Sequence, residues 1–66
     1  MEIYAKVGTM GQSVVRVKYK RKKPKVGDFI YIRERDFDRA PWVQCKVDEI
    51  RDLGYELFFL SKISSI

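Results

Sequence analysis

The chain has 66 residues, with 14 Lys plus Arg against 9 Asp plus Glu, no His, a single Cys and a formal charge of +5. That length holds one domain, residues 1–66, because compact domains usually run to about 100–150 residues. Without histidine and with one cysteine, neither a zinc-type site nor a Ser/His or Cys/His nucleophilic pair can be assembled within one chain.

Apolar residues are 45% and aromatics 14% of the chain, enough to fill a core and outside the composition of disordered chains. No apolar run approaches the roughly 18 residues that cross a bilayer, and the start MEIYAKV lacks the basic segment and long apolar stretch of a signal peptide. Cys45 cannot close an internal disulfide. The expectation is a cytoplasmic chain with no membrane partner and no cofactor. The charge is unevenly placed: residues 1–25 carry a net +7 and residues 26–66 a net −2. A concentrated positive field attracts polyanions, whereas scattered charge mainly aids solubility.

Taken in chain order, Ile3, Ala5 and Val7 alternate with Glu2, Tyr4 and Lys6, the period of two that predicts a half-buried strand over Glu2 to Val7. Gly8 to Gln12 supplies two glycines for a turn, and Ser13 to Lys20 alternates Val15, Val17 and Tyr19 against Arg16, Lys18 and Lys20, completing a hairpin. The run Arg21 to Lys25 is placed in a loop, since Pro24 cannot donate to a ladder and Val26-Gly27-Asp28 has turn chemistry. Phe29 to Arg35 predicts a third strand, with Ile30 and Ile32 on one face and Phe29, Tyr31 and Arg33 on the other. Asp36 to Pro41 reads as a loop.

Trp42 to Ile50 fits two templates. Val43, Cys45 and Val47 alternate as in a strand, while Val43, Val47 and Ile50 fall at i, i+4 and i+7 as on a helix. The density of Val, Ile and Trp favours the strand, and Pro41 and Gly54 at the two ends favour a helix over about 42–53. Asp52-Leu53-Gly54 then turns into a last strand, Tyr55 to Leu60. The assigned interior is Val15, Val17, Ile30, Ile32, Val43, Val47, Leu57 and Phe59. Cys45 reads as a buried small hydrophobe. The predicted class is all-β, a single five-stranded SH3-like barrel or strongly bent antiparallel sheet, with α+β as the alternative.

Val26-Gly27-Asp28-Phe29-Ile30-Tyr31-Ile32-Arg33, Pro41-Trp42-Val43, Val47-Asp48-Glu49-Ile50 and Gly54-Tyr55 with Phe58-Phe59-Leu60 together resemble the SH3-like small barrels of Tudor and bromo-adjacent-homology type. The resemblance spans about residues 26–60. It implies the barrel fold, and it implies an aromatic cage for a methylated side chain, for which Tyr31, Trp42 and Phe58 are the nearest matches.

The basic set Arg16, Lys18, Lys20, Arg21, Lys22, Lys23 and Lys25 suits phosphate neutralisation. Tyr4 and Lys6 beside it supply an exposed aromatic on which bases stack. The plain alternative is a solvated edge whose lysines prevent edge-to-edge pairing. Asp36 and Asp38 lie among Arg33, Arg35 and Arg39, so neutralisation accounts for them better than acid/base work. The leading expectation is a non-enzymatic module gripping DNA or RNA mainly through phosphates. The second is a small protein-protein adaptor or inhibitor, of the kind a virus encodes against a host protein, docking through Tyr31, Phe37, Trp42 and Phe58. An acidic protein is the partner the basic patch alone would suit, and the thin core allows a monomer or a small homo-oligomer.

Overall fold

Alternation of β-branched and polar residues sets the architecture, and the computed structural model describes residues 1–18 and 23–63. Five strands run in sequence: β1 (Glu2–Val7), β2 (Ser13–Val17), β3 (Phe29–Glu34), β4 (Val43–Asp52) and β5 (Glu56–Lys62). Each pairs antiparallel with the next, and β1 pairs parallel with β5, so the sheet closes on itself. The all-β expectation holds, residues 43–52 are strand and not helix, and the closed five-stranded sheet is compatible with an SH3-like barrel. Tyr19 and Lys20, expected at the end of the second strand, lie outside the described residues.

The core is built from inward positions of every strand: Ile3 and Ala5, Val15 and Val17, Ile30 and Ile32, Cys45 and Val47, Phe58 and Leu60. No polar or charged side chain among the described residues is buried with them. Val43 and Ile50 pack against the cluster from its margin. Two turns use glycine where the backbone demands it. Gly27 at φ 94° and Gly54 at φ 88° occupy the left-handed region, which L side chains enter only at a cost. The turn before β3 is further tied by Lys25 N–H donating to Asp28 Oδ2 at 2.9 Å. Past it, Gly27 N–H donates to the Val47 carbonyl and Val47 N–H to the Asp28 carbonyl, at 2.8 and 2.9 Å. The loop leading into β3 is thereby stitched to β4.

A bulge in β4 accounts for the two templates that its sequence fits. Val47 faces Leu60 and Glu49 faces Phe59, with a register shift between them. This bulge at Asp48 inserts one extra residue, so the interior positions run Val43, Cys45, Val47 and then Ile50. The spacing that mimics a helix is a strand that changes parity once.

The interior assignment for β5 is corrected by the same geometry. Phe58 and Leu60 enter the core, at 2% exposure each, while Phe59 is half-buried on the outside. Leu57 is buried, but it stands in register with Tyr4 and Arg51 on the outer side and apart from the core cluster. Ala5 and Ile50, both directed inward, stand opposite Phe58. A one-residue change in register exchanges the two faces of a strand, and β5 carries large apolar residues on both.

Candidate nucleic-acid interface

The outer face of β2, β3 and β4 brings cations and aromatics together in alternation. Arg16 stands opposite Arg33, Tyr31 opposite Gln44 and Phe29 opposite Lys46. Lys18 N–H donates to the Tyr31 carbonyl at 3.0 Å, which continues the β2–β3 ladder by one residue. Its ammonium lies 5.5 Å from the centroid of the Tyr31 ring. The Arg33 guanidinium lies over Trp42 at 4.3 Å. Phe29 is 59% exposed at the edge of this face. Tyr31, Arg33 and Trp42 are half-buried, with their outward surfaces available.

Arg33 also organises the loop between β3 and β4. Its Nη1 donates to the Asp38 carbonyl at 2.6 Å and to the Ala40 carbonyl at 3.3 Å. Two successive turns, Phe37 N–H to Glu34 and Ala40 N–H to Phe37, fold the loop back to deliver Trp42 beside Arg33. The guanidinium and the indole form one stack, a surface on which a nucleobase can lie.

The predicted basic set is divided by the barrel. Arg16 and Lys18 lie on the face just described. Tyr4 and Lys6 belong to a second face over β1 and β5, where Tyr4 packs on Tyr55 with ring centroids 4.9 Å apart and Lys6 lies 5.9 Å from the Phe59 centroid. Arg51 covers the same ring at 4.7 Å and is held by a hydrogen bond to Glu49, which pushes its pKa up. Lys23 pairs with Glu56 at the start of β5, and Lys25 is exposed in the turn before β3. Lys20, Arg21 and Lys22 lie outside the described residues.

Carboxylates sit among the cations of the first face. Arg16 pairs with Asp38 at 3.0 Å and approaches Glu2 at 3.8 Å, and Arg35 approaches Glu2 and Asp36 at 3.9 and 3.8 Å. All these side chains are at least 42% exposed, and exposed pairs contribute about 0–1 kcal/mol. A phosphate can therefore displace such a carboxylate at small cost.

Of the aromatics expected to dock on a protein, Tyr31 and Trp42 share the first face, and Phe37 is 60% exposed on the loop beyond it. Phe58 is a correction: among the described residues it is the largest fully buried side chain, sealed in the core opposite Ala5 and Ile50. The expected cage of Tyr31, Trp42 and Phe58 is therefore not formed. Phe29, Lys46 and Arg33 were absent from the expected binding set. The signal for two of them was present, since the alternation in β3 already placed Phe29 and Arg33 on the side of Tyr31. Lys46 follows only from the β3–β4 register.

Among the described residues, no group of three His, Cys, Asp or Glu converges on a point that could hold a metal, and no helix is long and apolar enough to cross a membrane. No known protein family matches the chain, and neither does any curated protein or solved structure.

Proposed function

We propose that the chain is a non-enzymatic module that holds single-stranded nucleic acid on the outer face of β2, β3 and β4. Phosphates are neutralised by Arg16, Lys18 and Lys46, while bases stack on Phe29, on Tyr31 and on the Arg33–Trp42 pair. The observation that carries this reading is the interleaving itself: Lys18 over Tyr31 and Arg33 over Trp42 on adjacent strands of one sheet. Cations that track a backbone and aromatic faces for successive bases are what single strands require, with little demand for a particular sequence. A duplex hides its base faces and would use only the cations. Affinity with Tudor-type barrels belongs to the same proposal. It is supported by Gly27-Asp28 leading into β3 and Pro41-Trp42 leading into β4.

Fluorescence anisotropy with labelled oligothymidylate, oligouridylate and a DNA duplex, between about 50 and 200 mM salt, tests it. Single strands should bind more tightly than the duplex. Changing Lys18 and Lys46 together to Gln should lower the magnitude of the salt slope by about 0.7 for each phosphate no longer neutralised. Trp42→Ala should weaken single-strand binding by about 1–3 kcal/mol, with the duplex much less affected. Equal binding by the parent and the Lys18/Lys46 variant at every salt concentration would remove the proposal.

A further inference from the structure

The barrel is open at the end where the β1–β2 and β3–β4 loops meet, and a cavity of about 390 Å³ lies there. Its floor is aliphatic, formed by Val7, Val15, Ile32 and Val43. Met10 and Phe37 stand at its lip, 55% and 60% exposed. Two cations, Arg33 and Lys62, line it against the one carboxylate of Glu34. Among the described residues neither cation forms an ion pair. The Arg33 Nε is buried without a hydrogen-bond partner, and no carboxylate among the described residues neutralises this guanidinium.

We infer that this mouth is a docking site for an acidic protein segment that inserts one large apolar side chain between Met10 and Phe37 and sets a neighbouring carboxylate against Arg33 and Lys62. The volume falls in the range of pockets that take a ligand, about 300–1,000 Å³, and mouths of β-barrels are a common place for them. The lip decides the kind of occupant. A small molecule confined to the cavity would leave Met10 and Phe37 in water, whereas a peptide laid across the mouth covers both. Methionine at such a lip adapts to differently shaped side chains. Charge decides the rest. The chain is at +5, so a second copy approaches against a like field and an acidic segment with a favourable one. Nucleobases fit poorly, because the aliphatic floor offers their edges no hydrogen-bond partners.

The test uses the full chain and an array of immobilised peptides. Each peptide carries one central Leu, Met, Phe, Trp or Ser between flanks that are acidic, neutral or basic. Retention should require the apolar centre and favour acidic flanks. Met10→Ser with Phe37→Ser should weaken the best peptide by about tenfold or more, and both positions are exposed, so the fold should persist by circular dichroism. Ala40→Phe, which fills the cavity, should also abolish retention, and Lys62→Glu should turn the flank preference away from acidic residues. Oligothymidylate binding should be unchanged by the Met10/Phe37 variant, which separates this site from the sheet face. Three results would overturn the inference. They are no retention of any peptide by the folded parent, retention indifferent to flank charge or to the Met10/Phe37 change, and a concentration-dependent dimer in sedimentation that this change dissolves.

Discussion

Cys45 has no exposed surface and lies in the β4 row between Val43 and Val47. Burial pushes its thiol above the ordinary value of 9.0, and the Lys62 charge opposes this to a lesser degree. The sign of the linkage follows from that order. Above about pH 9 the unfolded thiol ionises while the folded one keeps its proton, so the unfolded state is stabilised and stability falls as pH rises toward the folded pKa. The slope has a ceiling of about 1.4 kcal/mol per pH unit for one group. Thermal melts of the parent should therefore decline between pH 8 and 10 more steeply than those of Cys45→Ala, where the thiol is gone. Parallel decline in the two proteins would show that the burial does not reach the thiol. A thiol-reactive dye should label the parent only as fast as the barrel opens. The alternation of Val43, Cys45 and Val47 was sufficient to place this residue. The alternation in β3 puts Arg33 on the side of Tyr31, but its grip on the Asp38 and Ala40 carbonyls depends on how a loop of irregular composition folds back.

At the scale of the strand, β5 holds the sharpest consequence of the bulge. Phe58 fills the core and Phe59 lies under two cations on the outside. Phe58→Ala should cost about 3–5 kcal/mol, since it removes a buried ring and leaves a cavity. Phe59→Ala should cost only about 1–2 kcal/mol, because the ring is half-buried on the outer side and leaves no sealed cavity when removed. Urea unfolding midpoints of the two variants measure the difference, and equal losses would contradict the parity assigned to β5. Period-two patterns made β1, β2 and β3 legible with their inward faces, whereas β4 also fits a helix because its bulge changes parity once. The fifth has Leu57 and Phe59 on one side and Phe58 and Leu60 on the other, so composition does not choose between them. The choice is made across the sheet, by Ala5 and Ile50 opposite Phe58. The face proposed to bind shows the same limit. Its lysines and aromatics are visible singly, but Lys46 joins Phe29 and Lys18 joins Tyr31 only once neighbouring strands are in register.

For the molecule as a whole, closure depends on residues from the two ends of the chain, Tyr4 against Leu57 and Val7 against Leu60. A pairing so distant in sequence carries a large loop-closure entropy unless the hairpins between have already formed. The β1–β5 seam is therefore expected to form last and to join the other strands in one cooperative unit. At about 0.05–0.15 kcal/mol per residue the total stability is roughly 3–10 kcal/mol, too little to sustain independently opening parts. The seam also removes the two free edges that an open sheet of these strands would present. Native-state hydrogen exchange measures the consequence: amides along the β1–β5 seam should exchange with the same opening free energy as those of the β4–β5 ladder, within about tenfold in rate. Exchange at the β1–β5 seam about a thousandfold faster than in β4–β5 would mean a sheet that meets there only transiently. The face carrying Lys18, Tyr31, Arg33 and Trp42 would then curve less, and its spacing of cations and rings would no longer be fixed by the barrel.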